Sequence, residues 1–137
     1  MADTVRLVDY FYIEATDKPG EGARILQQLK DAGVNLTVLH TFPARRKTRV
    51  DFVPTDGVAF KAAAKAAKWK ITGPKKAFVF EGEDRVGALA DWFAALGGAK
   101  INVTAVSAIT AGAGRFGAVL WVKARDVKRA AKALGVG

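Results

Sequence analysis

The 137 residues contain no cysteine and a single histidine, His40. Without thiols there is neither a disulfide framework nor a thiolate metal site. His40 lies in a strand-like run with no cysteine or second histidine to complete a nucleophilic pair or a metal centre. The carboxylates are scattered rather than paired. The chain is therefore expected not to be an enzyme, with no catalytic residue, no metal ligand and no cofactor, and His40 is expected to be a structural, hydrogen-bonded side chain. No apolar run reaches membrane-spanning length, and the first residues lack a basic segment followed by an apolar stretch of signal-peptide kind. A soluble, cytoplasmic protein without membrane contact is the expectation.

Half of the residues are hydrophobic and 26% are charged, which describes a globular chain. The formal charge of +9 could draw a polyanion. Most of it, however, comes from lysines along two alanine-rich helical stretches and from one hairpin tip, where a solvated face accounts for it.

The chain is organised around Thr16-Asp17-Lys18-Pro19-Gly20, which ends a strand-like run (Tyr10 to Ala15) and opens a helix-like one. Proline suits the first turn of a helix, where its missing N–H would be unpaired anyway. Asp17 stands where a carboxylate can accept from first-turn N–H groups, and Gly20 permits close approach to the backbone. A strand-to-helix corner of this kind suits a carboxylate or other small anion, although a plain helix cap explains the same residues. The corner returns 67 residues later as Glu83-Asp84-Arg85-Val86-Gly87. The same gapless offset pairs Phe11 with Phe78, Gly20 with Gly87, Asn35 with Asn102, Thr37 with Thr104 and Ala63-Ala64-Lys65-Ala66 with Ala130-Ala131-Lys132-Ala133. About fifteen of the roughly 59 paired positions are identical, far more than a fixed register gives by chance. The chain is thus an internal duplication, with domains expected at 1–73 and 74–137. Units so small bury modest cores and are expected to share an interface.

Periodicity predicts a strand over Tyr10–Ala15 (starting as early as Val5), a helix over Gly20–Ala32 closed by Gly33, and strands Leu36–Phe42 and Arg49–Val53 around a tip at 43–48. Asp56 caps a helix to about Lys68, Trp69-Lys70-Ile71 is a short strand candidate, and Gly73-Pro74 breaks the chain. The second copy repeats this with a strand at Lys76–Glu81, a helix over Gly87–Leu96 stopped by Gly97-Gly98, strands Ile101–Ile109 and Phe116–Lys123, and a helix opened by Asp126. The β-α-β-β-α order is that of an α+β, ferredoxin-like module with an antiparallel sheet and both helices on one face. Phe11, Ile13, Phe78 and Phe80 are expected to face the helices. The strand Phe116–Val122 is apolar on both sides, so its helix-free face must be covered as well. The second copy ends without an evident last strand. Thr4-Val5-Arg6-Leu7-Val8 alternates and is expected to complete that copy's sheet, within the chain or across a dimer; the alternative is that it merely lengthens the first strand.

With its two corners and the runs Val34-Asn35-Leu36 and Ile101-Asn102-Val103, the chain resembles a tandem of ACT domains, small ferredoxin-like regulatory modules that bind amino acids and similar effectors. The resemblance spans about residues 8 to 136. It implies a homodimer or other pairing of modules, an amino-acid effector held between them, and a regulated protein partner. The site residues it implies are Asp17, Lys18, Pro19, Gly20, Asn35 and Thr37 in the first copy. In the second they are Asp84, Arg85, Val86, Gly87, Asn102 and Thr104. The effector's carboxylate would meet the corner N–H groups and its ammonium Asp17 or Asp84, while each Asn can both donate and accept. Val86 departs from the pattern, standing where the first copy has Pro19.

Two other readings compete. The same topology serves RNA-recognition modules, and Tyr10, Tyr12 and Phe52 could imitate their stacking aromatics beside Arg45, Arg46, Lys47 and Arg49. Against it, the Arg/Lys-Gly-aromatic signature is missing and the second copy has Ala77 and Val79 at the tyrosine positions, so nucleic acid is not the expected partner. A ligand-free interaction module acting through the basic hairpin is the remaining alternative.

Overall fold

The computed structural model describes residues 3–136. Its elements are β1 (Thr4–Thr16), α1 (Glu21–Asp31), β2 (Leu36–Ala44), β3 (Lys47–Pro54), α2 (Gly57–Ala66), β4 (Thr72–Glu83), α3 (Ala90–Gly98), β5 (Ala105–Gly112), β6 (Arg115–Trp121) and α4 (Val127–Ala133). They form two compact units, one of residues 9–75, the other joining the residues before Asp9 to those from Lys76 onward. The strand order is β2-β3-β1 in the first and β4-β6-β5 in the second, with β1 and β4 neighbours. Strand pairs β1·β3, β2·β3, β4·β6 and β5·β6 are antiparallel.

Both β1 and β4 serve two units. Residues 9–16 of β1 open the first module and Thr72–Lys75 of β4 close it; residues 76–83 of β4 open the second and Thr4–Val8 of β1 close it. Each unit is therefore a βαββαβ module with an antiparallel sheet, the α+β ferredoxin-like class expected of an ACT tandem. The N-terminal segment does both things considered for it: it extends β1, and it belongs to the second copy's unit, where Val5 and Leu7 pack on that core.

Alternation sorts the strand residues as expected. Phe11, Ile13, Val50 and Phe52 pack with Ile25 and Leu29 of α1 and Phe60 and Ala64 of α2. Phe78, Phe80, Ala118 and Leu120 pack with Leu96 of α3 and Ala130 of α4. On the opposite side of the second sheet, Ala77, Val79, Val119 and Trp121 are also buried.

Among the described residues the four α-helices end alike. A residue in the left-handed region follows each one (Gly33, Lys68, Lys100, Gly135), and the next N–H returns to the last turn, from Val34 to Leu29, Trp69 to Ala64, Ile101 to Leu96 and Val136 to Ala131. The residue carrying that N–H is apolar each time and packs on its unit's core. This corrects the short strand expected at Trp69–Ile71. Trp69 is the apolar residue of a helix terminator, its ring stacked on Phe52 (centroids 5.9 Å apart) and its Nε1 donating to Gln28 Oε1 at 3.1 Å.

Other boundaries move for local reasons. Gly73-Pro74 does not break the chain but lies inside β4. Gly73 (φ +127°) passes so close to β1 that a Cβ would stand 2.8 Å from the Tyr10 carbonyl oxygen, and the Gly73–Pro74 peptide is cis. Helix α3 starts at Ala90 rather than Gly87 and runs through the two glycines expected to stop it. Strand β5 starts at Ala105, and Ile101–Thr104 is irregular. Asp56 caps α2 by accepting from the Val58 and Ala59 N–H groups at 3.0 and 3.2 Å, whereas Asp126 caps nothing and pairs with Arg129. The gapless repeat also slips. Phe11 faces Phe52 and Phe78 faces Leu120, so β6 runs one residue later than the offset of β1 and β4 predicts. The extra residue sits at the irregularity between Thr110 and Gly112 of β5, where a bulge inserts one position into one strand.

Candidate functional site

Asp17, Lys18, Pro19 and Gly20 are all exposed. Gly20 occupies the cap position of α1 at φ +89°, and no side chain caps the helix. Asp17 therefore does not accept from the first turn as expected. The Glu21 N–H bonds the Lys18 carbonyl at 3.3 Å, while those of Gly22 and Ala23 receive no side-chain cap. The space around a Cβ at Gly20 is open, so its glycine is required by conformation rather than by a close neighbour. Gly20→Val would consequently cost folding stability by about 1 kcal/mol or more, since non-glycine residues are strained there, and is a poor probe of binding.

The second corner is built differently. Asp84 N–H bonds the Gly114 carbonyl at 2.9 Å, residues 86–89 form a turn before α3, and Val86 is fully exposed. Gly87 is left-handed at φ +73°. Arg85 is turned onto Asp3, from the N-terminal segment of the same unit.

The remaining candidates lie elsewhere. Asn35 and Thr37 are exposed at the start of β2, and the Asn35 carbonyl accepts from Thr55 N–H at 3.0 Å. Asn35 lines an open groove of about 380 Å³ with Leu26, Leu29, Lys30, Val34 and Leu36; the corner does not. Thr16 pairs with Lys47, whereas Leu36 pairs with Pro54, so corner and groove are at opposite ends of the first sheet. Strand rise makes that separation roughly 20 Å. The second module repeats the split, with Glu83 opposite Arg115 and the Thr104 N–H on the Trp121 carbonyl. One module thus does not bring its corner and its Asn–Thr run together.

The structure also gathers a polar cluster that was not singled out. On the helix-free side of the first sheet, Asp51 is buried (2% exposed), its Oδ1 accepting from Arg49 Nε at 3.1 Å and its Oδ2 lying 3.8 Å from His40 Nδ1. The Arg49 guanidinium lies 3.6 Å above the Tyr12 ring. His40 is thus a close neighbour of a buried carboxylate. The one signal in the sequence was an aspartate amid the apolar run Val50 to Val53. Burial raises the Asp51 pKa, with Arg49 and then His40 pulling it back. A raised pKa means that the folded state favours the protonated acid. Stability is then lost as pH climbs from the ordinary aspartate value through the raised one. Asp51→Asn should abolish that descent: urea midpoints of variant and wild type should diverge with rising pH across this window and run parallel above it. Parallel curves throughout would contradict it.

Phe52 stands apart from the tyrosines: it is fully buried on the helix side against Phe60 and Trp69, and Tyr10 is buried too. The three aromatics proposed to stack RNA bases do not share an exposed face. No helix among the described residues is long and apolar enough to cross a membrane, and no cluster of three metal-binding side chains occurs among them.

No protein-family model matches the chain, and no curated protein does either. Solved structures do. A protein from Bacteroides thetaiotaomicron superposes with a TM-score of 0.82 at 14% identity, over 96% of this chain and 88% of that one. The ligand-free regulatory subunit of aspartate kinase from Thermus thermophilus does so with a TM-score of 0.66 at 15% identity, over 98% and 96%. Aspartokinase III from E. coli, in complex with aspartate and ADP, gives 0.55 at 11% over 97% of this chain and 32% of that one. Identities this low establish a shared fold, and that fold is the one adopted by the regulatory parts of aspartate kinases.

Proposed function

We propose that this chain is a regulatory protein that binds an amino acid or similar small effector between ACT-like modules, and that it is not an enzyme. The observation that carries the reading is the first corner, an exposed strand-to-helix turn whose helix has no side-chain cap, so that a carboxylate can meet first-turn N–H groups and the positive end of α1. The likeness to regulatory subunits supports it at the level of fold.

The distance between corner and groove suggests how the site is completed. Strand β2 is the outer strand of its module, with Leu39 and Phe42 partly exposed. Antiparallel pairing of β2 with β2 of a second copy would bring Asn35 and Thr37 of one chain to the corner end of the other. We therefore assign the effector to a homodimer interface, its carboxylate at Gly20–Ala23 and its ammonium near Asp17 or Asn35. Arg45, Arg46 and Lys47, exposed at the hairpin tip, remain available to a regulated protein partner.

A thermal-shift screen against the amino acids tests this, because a ligand of the native state raises Tm by mass action. Gly22→Glu is the discriminating variant. A Cβ at Gly22 meets nothing within 4 Å, and replacing a glycine inside a helix stabilises by about 0.5–1 kcal/mol. The variant should keep or raise the unliganded Tm while losing at least tenfold in effector affinity, since a carboxylate then covers the open N–H groups. An undiminished shift in a well-folded variant would remove the first corner from the site.

A further inference from the structure

The second corner contains a carboxylate pocket, and it is filled from within. Arg85 Nη1 and Nη2 donate to the two oxygens of Asp3 at 3.0 and 2.9 Å, and Trp92 Nε1 donates to Asp3 Oδ2 at 3.2 Å. Arg85 is itself steadied by a bond from Nη1 to the Glu83 carbonyl at 3.1 Å. Only 5% of the Asp3 side chain is exposed. Gly82 makes the space, because a Cβ there would collide with the Asp3 carboxyl group and stand 2.9 Å from the Phe116 ring. At the matching positions the first copy has Ala15, Lys18 and Ile25, which offer neither the space, the planar fork nor the indole donor. A guanidinium fork recognises a carboxylate in two parallel bonds, which an ammonium cannot do.

We propose that Arg85, Trp92 and Gly82 form a carboxylate-recognition pocket whose resident ligand is the chain's own Asp3, a tethered carboxylate that holds the N-terminal strand on the second module and closes this corner to free carboxylates. Tethering gives Asp3 an effective concentration in the millimolar range or above, so a free acid must exceed that to compete. The hydrogen bonds from Arg85 hold the Asp3 carboxyl below the usual aspartate range, which keeps it charged. If the effector reading above holds, each chain has one open corner rather than two; that corollary rests on the effector reading, and the pocket does not.

The test is chemical rescue. Thermal unfolding of wild type, Asp3→Ala, Asp3→Asn and the double variant Asp3→Ala/Arg85→Gln is measured in sodium acetate and in sodium chloride of equal ionic strength. Asp3→Ala should lower Tm by at least about 6 °C, the size of shift that losing one buried charged hydrogen-bond set gives in a module this small. Acetate should restore part of that loss, relative to chloride, in Asp3→Ala alone. It should do nothing further for Asp3→Asn, whose amide still fills the pocket, or for the double variant, which lacks the fork. If Asp3→Ala is unfolded in chloride, the same comparison reads recovery of the folded signal. An unchanged Tm in Asp3→Ala, an absent rescue, or a rescue that survives Arg85→Gln would each overturn the proposal. Because the readout depends on Arg85, failure of the effector reading at the first corner leaves the result unaffected.

Discussion

Deleting residues 1–7 is expected to loosen the second module, built on the residues from Lys76 onward, and not the first, which follows them directly in sequence. The deletion removes Val5 and Leu7 from the core built on Phe78, Phe80, Leu96 and Leu120, together with the Asp3 contacts to Arg85 and Trp92 and the Arg6–Glu81 pair. Two partly buried aliphatic side chains account for about 2–4 kcal/mol. Lost strand hydrogen bonds add roughly 0.5–1.5 kcal/mol each, while the exposed Arg6–Glu81 pair adds little. Against a total stability of about 5–15 kcal/mol this is a large fraction. Hydrogen exchange reads it directly: amides of Phe78 to Phe80 should lose protection, while those of Val50 to Val53 keep theirs. If instead Phe78 to Phe80 stay protected and the first module loosens, the N-terminal strand does not complete the second sheet.

Phe60→Ala should produce the largest loss of any single substitution discussed, and it should fall on the first module. Phe60 is fully buried in α2, with its ring centroid 5.0 Å from that of Phe11, 5.1 Å from Phe52 and 6.4 Å from Trp69. Truncating a core phenylalanine costs about 3–5 kcal/mol through lost transfer energy and the cavity left behind. In a module of this size that corresponds to a Tm lower by at least about 12 °C. The position 67 residues later is Val127, only partly buried beside its core. Val127→Ala should accordingly cost about 1 kcal/mol, in line with a small aliphatic truncation. Equal losses for the two variants, measured by urea unfolding, would mean that the aromatic cluster is not what holds the first module together.

The candidate site was legible as chemistry but not as geometry. The repeated corner, with its glycines and flanking carboxylates, could be read because turn and cap residues act locally. The open cap of α1 could not, because Asp17 is equally suited to capping and to pointing away, and only the fold decides between them. Nor could residue order reveal that the corner and the Asn35–Thr37 run lie at opposite ends of one sheet. That follows from the antiparallel register, Thr16 opposite Lys47 and Leu36 opposite Pro54. In the sequence the second corner differs visibly from the first by Val86, which stands where the first copy has Pro19. What distinguishes it in fact is Asp3, 82 residues from Arg85 in the chain.

The sequence by itself determined the duplication, the βαββα order of each copy and the inward face of the first strands, because these rest on period, spacing and local turn chemistry. Tertiary structure alone decided that Trp69 terminates a helix rather than forming a strand, since its ring packs on Phe52 only once α2 lies on the sheet. It also decided that Phe52 faces inward. In the second copy one bulge in β5 offsets β6 by a residue, and with a period of two that slip turns Val119, the counterpart of Phe52, to the other face of its sheet. The exchange of strand ends between β1 and β4 is likewise a tertiary outcome. A strand edge can be completed by any segment that reaches it: Thr72–Lys75, just after α2, closes the first module, whereas the second is closed by Thr4–Val8, far from it in sequence.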